Sequence, residues 1–227
     1  KPDTVVVMVA GSPVEMGAWL SRAKALVWNW YAGMEGGKAL AEVLFGKVNP
    51  SGRLPESFPF SHMDCPAHCI GEFPGGKTVA YREGIFVGYR YYETRQMPVA
   101  FPFGYGLSYT EFTYERLKAR VKGNGNGAKV QVTLGVVNTG AMKGKEVVQL
   151  YVGRKNSGED RPIRELKAFD KISLKPGEIK NLEFMLDMEA FSYYDEKEKE
   201  FRVEKGAYII SVCRSAHEVW METEVEL

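Results

Sequence analysis

The stretch FPFGYGLSYTEF, residues 101–112, divides the chain into two parts of different character. It cannot form a helix, because Pro102 lacks an amide donor and Gly104 and Gly106 are poor helix formers. Its five aromatic residues make it too apolar for a solvated linker. The residues therefore predict an aromatic seam that is buried between two bodies. A loop that fills its own small core is the alternative.

Strands and helices alternate before this seam, in the first half of the chain. Residues 4–10 form a continuous apolar run rich in valine, typical of a parallel strand that is buried on both faces, and residues 25–30 predict a second one. A short helix is predicted between them at residues 14–24. A clearer helix follows the glycines of residues 33–37 and ends near Gly46. Its apolar face is predicted to consist of Ala39, Leu40, Val43 and Leu44. This order predicts an α/β fold with a mainly parallel sheet.

Residues 81–92 interleave aromatic and charged side chains, and they are predicted to form a further strand. Arg82, Glu83 and Arg90 are unusual in a buried strand, because an unpaired buried charge is costly. We expect these three side chains to be held in ion pairs. Contact with polar groups of another domain is the alternative.

After the seam, in the second half of the chain, apolar and polar residues alternate with a period of two. The pattern is clear in residues 130–136, 148–152, 182–186 and 219–225, and turn signals rich in glycine separate the runs. Such strands predict an antiparallel, immunoglobulin-like sandwich of two sheets and about seven strands. The charged residues 161–166 are attributed to edge-strand pairing and solvation rather than to a carbohydrate or protein contact.

Composition limits the classes of partner. The net charge of +1 is spread without basic blocks, which argues against nucleic acid, and no apolar run approaches the length of a membrane span. The chain lacks a signal-peptide layout and opens almost directly on a strand, so we expect it to be part of a longer protein. Three cysteines cannot all pair with one another, which favours a reducing, cytoplasmic location over secretion.

Two groups of residues contain residue types that can bind ligands. The glycines near residues 11–17 and 33–37 match neither dinucleotide nor P-loop spacing, and helix packing explains them without a nucleotide. The polar loop at residues 61–78 holds potential zinc ligands, but their spacing is not a standard one. These side chains are His62, Cys65, His68 and Cys69. We expect free thiols there, with no metal and no cofactor.

A series of motifs resembles one enzyme family over nearly the whole chain. GMEGGKALAEVLFG at residues 33–46, NPSGRLP at 49–55, YREGIFVGYRYY at 81–92 and FPFGYGLSY at 101–109 resemble the second domain of glycoside hydrolase family 3. GKEVVQLY at residues 144–151, with its neighbouring motifs, is similar to the fibronectin type III-like domain that ends many β-glucosidases of that family. The resemblance divides the chain into an α/β part at 1–92, a seam at 93–110 and the fibronectin-like domain at 111–227.

The resemblance implies a retaining exo-β-glycosidase in which a barrel carries the aspartate nucleophile and the α/β domain carries the glutamate acid/base. Both would lie upstream of these residues. The carboxylates present are poor substitutes: Glu35 at a helix start and Glu83 between arginines are favoured as anions, and Asp195 lies at a charged hairpin tip. We therefore assign no catalytic residue.

The resemblance thus predicts the non-catalytic C-terminal portion of a β-glucosidase. Its partners would be the upstream barrel and α/β segment of the same enzyme, and a β-glucoside or oligosaccharide bound by the catalytic part. A homo-oligomer is left open. The alternative function is a carbohydrate- or protein-binding sandwich module, which would need a coplanar set of exposed aromatic residues. The aromatic residues of the second half fall mostly at alternating core positions, which counts against that alternative.

Overall fold

A computed structural model describes residues 3–71 and 73–227, and its first half contains the predicted pair of parallel strands. Strand β1 (Val5–Met8) pairs with β2 (Ala25–Trp28), with Val5 beside Ala25 and Met8 beside Trp28. The expected burial on both faces is not found, since no residue of either strand is buried. The reason is that this sheet has two strands within the described residues, so little of the chain covers it.

The two predicted helices have different outcomes. Residues 14–24 do not form an α-helix but contain a 3₁₀ turn at Leu20–Arg22. Gly17 weakens the segment, and Trp19 at the start of the turn makes no side-chain capping bond. Helix α1 (Gly36–Leu44) forms where it was predicted.

The polar loop at residues 61–78 contains two short helical turns. A 3₁₀ turn spans His62–Asp64, and helix α2 spans Pro66–Cys69. Ser61 begins the first turn with a capping box, in which its side chain accepts a backbone hydrogen bond and Asp64 bonds back to the Ser61 amide.

The predicted strand at residues 81–92 is wrong, because the end of this segment is helix α3 (Tyr89–Thr94). Gly88 at the start of the helix has φ +58°, a conformation that glycine adopts readily and that turns the chain out of an extended path. Residues 89–92 of the mixed segment therefore lie on a short helix, while residues 81–88 form the turns that precede it.

The second half is a sandwich of a four-stranded and a three-stranded antiparallel sheet, as predicted. Its strands are β3 (Phe112–Lys122), β4 (Lys129–Asn138), β5 (Gly144–Arg154), β6 (Glu165–Leu174), β7 (Ile179–Asp187), β8 (Ser192–Asp195), β9 (Glu200–Val203), β10 (Ala207–Cys213) and β11 (Val219–Glu226). The sheets have the orders β11-β10-β5-β6 and β3-β4-β7, and β8 with β9 forms a separate hairpin.

The inner faces of the two sheets form the main hydrophobic core. The alternating residues of β4 and β5 that were predicted to point inward are buried, and they pack with side chains from the other strands. Strands β5 and β10 are also buried on their other face, at Gln149 and Tyr151 of β5 and at Ser211 and Cys213 of β10. Among residues 3–71 and 73–227, no helix combines the length and apolar character needed to cross a membrane.

Candidate functional site

The seam is hydrogen-bonded to the first half along one side. The Gly104 N–H donates to the Leu54 carbonyl at 2.8 Å, and the Leu54 N–H donates to the Tyr105 carbonyl at 2.9 Å. Farther along, the Phe58 N–H donates to the Phe101 carbonyl at 2.7 Å, and the two rings pack edge to face. Residues 54–58 and the seam thus satisfy each other's backbone groups.

The other side of the seam contacts the outer face of the four-stranded sheet. The Ala216 N–H donates to the Phe103 carbonyl at 2.8 Å. The Phe103 ring stacks on Tyr89 of α3 with centroids 4.8 Å apart, and Tyr89 in turn meets the edge of Tyr151 at 5.8 Å. This aromatic stack joins α3, the seam and β5. We call the contacts that the first half and the seam make with the four-stranded sheet the inter-half interface.

Gln149 binds the backbone of the seam. Its Nε2 donates to the carbonyls of Gly104 at 3.0 Å and Arg214 at 2.8 Å, and its Oε1 accepts from the Tyr151 hydroxyl at 2.9 Å. The buried amide is therefore fully paired. Gly104 has φ +80°, and a Cβ atom there would overlap the Gln149 amide, so this position requires glycine.

A buried ion pair also crosses the interface. Arg53 Nη2 lies 2.6 Å from Glu146 Oε1, with side chains 14% and 3% exposed. Arg53 Nη1 also donates to the Gly106 carbonyl, so one guanidinium holds both the seam and β5. Burial raises the pKa of the neighbouring Tyr114, and the charge of Glu146 adds to that rise.

Helix α3 binds the loop before β6. Arg164 Nη2 lies 3.0 Å from Glu93 Oε2, and both side chains are largely buried. The Tyr89 hydroxyl accepts from the Leu166 N–H at 2.9 Å. The expected edge-strand pairing is found, because β6 lies at the edge of its sheet and pairs with β5, but the expected solvation is wrong for Arg164 and Leu166, because α3 supplies their partners.

The expected pairing of the arginines in residues 81–92 is found for Arg90, whose Nε lies 3.1 Å from Glu165 Oε1. Arg82 has an interaction partner as well. The ion pair of Arg90 joins α3 to the start of β6, so it belongs to the inter-half interface.

The three candidate carboxylates lie in separate places. Glu35 is exposed at the start of α1 and makes no side-chain capping bond, and Glu83 is half-buried in the turn before α3. Asp195 ends β8, where it accepts from the N–H groups of Glu198 and Lys197 and from Arg202. These bonds lower the pKa of Asp195, whereas a general acid needs a raised one.

The cysteine and histidine loop is held by Glu15 through hydrogen bonds. Glu15 Oε1 accepts from the His62 N–H at 2.9 Å and from the Ser61 hydroxyl at 2.8 Å, and it lies 2.7 Å from His62 Nδ1. The bonds with His62 and Ser61 lower the pKa of Glu15 to about 2. Within the described ranges, no group of three or more histidine, cysteine and acidic side chains is arranged to hold a metal ion.

Of the two glycines at the start of α1, Gly36 is closely packed, whereas an added Cβ at Gly37 would meet nothing within 4 Å, so the packing expected there is not found. A Cβ atom at Gly36 would lie 2.8 Å from the methyl group of Ala32, which accounts for that glycine without a phosphate. The groove beside β1, of about 400 Å³, is lined by Thr4, Val6, Met8, Val14, Trp19, Arg22 and Ala23. Its mostly apolar lining contains no carboxylate.

Most aromatic residues of the sandwich are buried or half-buried, as expected, but four are exposed. They are Phe169, Tyr194, Phe201 and Trp220. The rings of Tyr194 and Phe201 meet at 70° rather than lying in one plane, and Arg214 covers Trp220 at 3.9 Å. This arrangement does not form a coplanar sugar-binding platform.

Sequence reasoning missed the roles of Glu146, Gln149 and Tyr151, because alternation places Gln149 and Tyr151 on the solvent face of β5. One signal was present. Residues 147–152 read VVQLYV, an almost continuous apolar run that is typical of a strand buried on both faces.

The chain matches two known families. Residues 1–109 match the glycosyl hydrolase family 3 C-terminal domain, and residues 146–216 match the fibronectin type III-like domain. A thermostable beta-glucosidase B of Acetivibrio thermocellus is 44% identical over 99% of this chain, and beta-glucosidase B of Emericella nidulans is 42% identical over all of it. The chain spans 30% and 28% of the lengths of these curated relatives.

Solved structures give the same result. The GH3 beta-glucosidase of Bifidobacterium adolescentis matches with a TM-score of 0.91 and 41% identity, over 98% of this chain and 32% of its own. The beta-glucosidase of Kluyveromyces marxianus in complex with glucose matches with a TM-score of 0.92 and 43% identity, over 100% of this chain and 27% of its own.

Proposed function

The chain belongs to glycoside hydrolase family 3, and on that premise we propose that it is the non-catalytic C-terminal portion of a retaining exo-β-glycosidase of the β-glucosidase type. The complete enzyme would hydrolyse terminal β-linked glucosyl residues. Its other portion, the upstream barrel and α/β segment, would supply the nucleophile and the acid/base.

One observation carries this proposal: the likeness to beta-glucosidases is continuous across both halves and the seam, with TM-scores of 0.91 and 0.92. A separate sandwich module would need to resemble them only in the second half. The inter-half interface provides a physical reason why both halves resemble the same enzymes together. A buried ion pair, a buried amide and an aromatic stack fix the sandwich on the α/β part, and through it they would hold the catalytic elements in position.

The environments of the carboxylates in this chain agree with a non-catalytic, supporting role for it. Retaining hydrolysis uses two carboxyl groups about 5–5.5 Å apart, one of them kept protonated by a raised pKa. The pKa of Asp195 is shifted in the opposite direction, and Glu35 is exposed. The chain by itself should therefore lack turnover.

Turnover of an aryl β-glucoside tests the proposal, with the purified chain measured alone and after addition of the upstream segment. We expect turnover only in the mixture, since loss of either carboxylate costs several orders of magnitude in rate. Turnover by the chain alone that vanishes in Glu35→Gln or Glu83→Gln would contradict the proposal. The matched control is Glu224→Gln, an exposed carboxylate in the sandwich.

The limits 1–92, 93–110 and 111–227 are also a proposal, as is a reducing, cytoplasmic location. Limited proteolysis tests the limits. We expect the first cuts within residues 61–78 or 123–127, where small polar residues gather. First cuts within residues 101–112 would contradict a buried seam.

A further inference from the structure

Cys65 and Cys69, at the two ends of α2, have no part in the proposed function. We propose that they form a reversible intramolecular disulfide on reaction with a low-molecular-weight disulfide such as glutathione disulfide. The site consists of one helical turn whose cysteines interact electrostatically with Tyr91 and Tyr92 of α3. It is independent of the role assigned to the chain in the complete enzyme.

The backbone brings the two cysteines together. The Cys69 N–H donates to the Cys65 carbonyl at 2.9 Å, which closes a single helical turn between them. Side chains four residues apart in such a turn lie on one face, with Cβ atoms about 5–6 Å apart. Cys65 itself lies outside the helix with an extended backbone, φ −64° and ψ 141°. A disulfide needs Cβ atoms about 3.5–4.5 Å apart, so closure requires rotation of the backbone at Cys65, which lies outside the helix and can turn while α2 is retained.

This pair is more accessible to solvent than the third cysteine. Cys69 is exposed and Cys65 is half-buried, whereas Cys213 is fully buried under the seam. Burial raises the pKa of Cys213 to about 12, which leaves its thiol inert at neutral pH. Exchange with a soluble disulfide is therefore confined to α2.

Each cysteine of the pair interacts electrostatically with one tyrosine of α3. Burial raises the pKa of the Cys65 thiol, and the bond from Tyr92 opposes that rise. Burial raises the pKa of Tyr91, and Cys69 adds to that rise. The Cys69 thiol itself donates to the Met63 carbonyl at 3.3 Å. Formation of the disulfide takes the Cys69 thiol from its bond with Met63 and changes the surroundings of Tyr91 and Tyr92, so oxidation at α2 is expected to affect α3, the helix that binds the second half through Glu93 and Arg164.

The reaction proceeds in two exchange steps. The Cys69 thiolate attacks one sulfur of the glutathione disulfide, which forms a mixed disulfide and releases one glutathione. The Cys65 thiolate then attacks the Cys69 sulfur and releases the second glutathione. The two cysteines lose two protons and two electrons, and the reagent takes up both as two thiols.

Peptide mapping tests the proposal on the intact protein after incubation with glutathione disulfide and quenching by an alkylating agent. Trypsin releases residues 54–77 as one peptide that holds both cysteines. We expect this peptide to lose two hydrogens and to carry neither glutathione nor the alkylating group. In Cys65→Ser, the peptide should keep one glutathione, because the resolving thiol is absent. Serine also caps helices well, so this variant retains the turn.

Cys69→Ser is the second variant, and its half-buried Cys65 should react more slowly than Cys69 does. A wild-type peptide that keeps glutathione at equilibrium, or disulfide-linked dimers, would overturn the proposal. Amide exchange measures the effect on α3. We expect faster exchange at Tyr91 and Tyr92 in the oxidised protein than in the reduced one, and equal exchange would overturn the link to α3.

Discussion

The two halves of the chain differ in where their apolar side chains lie. In the sandwich, apolar residues of both sheets are buried in one continuous core. In the first half, Tyr31, Met34 and Phe45 are 77%, 99% and 82% exposed, and buried apolar residues are few. This difference indicates that the sandwich is stabilised by its own core, while the first half depends on contacts with other parts of the molecule. The inter-half interface is one such contact, and the upstream segment is proposed as another.

The largest expected effect on stability comes from truncating one side chain in each half and comparing the two losses. Leu150→Ala removes a fully buried side chain from β5 and should lower the free energy of unfolding by about 2–5 kcal/mol. Leu44→Ala on α1 removes the same atoms from a side chain that is 43% exposed and should cost about 1 kcal/mol or less. Urea unfolding of both variants measures this. Equal losses would mean that the first half has a core as closed as that of the sandwich.

The close contact between the seam and β5 gives the next prediction. Gly104→Ala should lower the free energy of unfolding by about 2–4 kcal/mol, because it adds a clash with Gln149 to the cost of a positive φ. Gly46→Ala is the matched control, since Gly46 has φ +71° and nothing within 4 Å of the added methyl. Thermal or urea unfolding that shows the same loss for both would remove the evidence for close packing at the seam.

The buried ion pair should have a smaller effect. Glu146→Gln leaves the Arg53 charge without its counter-charge and should lower the free energy of unfolding by about 1–3 kcal/mol. Glu224→Gln breaks the Lys155–Glu224 pair, which has the same 2.6 Å separation but is about half exposed, and should cost about 0.5 kcal/mol or less. If the two variants lose equal stability, the interface does not depend on burial of this pair.

The smallest expected effect is a pH dependence of stability that arises from Glu15, in the first half of the chain. The pKa of Glu15 is lowered from 4.5 in the unfolded chain to about 2, so its ionisation contributes stability above pH 4.5 that is lost as the pH falls toward 2. Titration of the Glu15 carboxyl followed by NMR should give a midpoint near pH 2. Glu15→Gln should remove this part of the acid dependence and speed amide exchange at Ser61 and His62. A midpoint near pH 4.5 would show that the hydrogen bonds from this loop do not form in solution.

The sequence predicts those elements whose patterns are local. The period of two in β4 and the apolar run of β1 arise from neighbouring residues, so both are identified without the structure. Helix α3 is missed because its start depends on the backbone angles of Gly88 and not on a helical pattern of apolar residues. The partners Arg53 and Glu146 are 93 residues apart, and no short motif records such a contact.

The burial of β5 on both faces has a consequence for chimeric enzymes. An exchange of the sandwich between two relatives at its first strand would pair Gln149 and Tyr151 with a foreign seam, and any mismatch would leave a buried amide without its carbonyl partners. The unit that can be transplanted therefore includes residues 101–112 and Arg53 together with the sandwich. In evolutionary terms, the seam should be inherited with the domain that it covers.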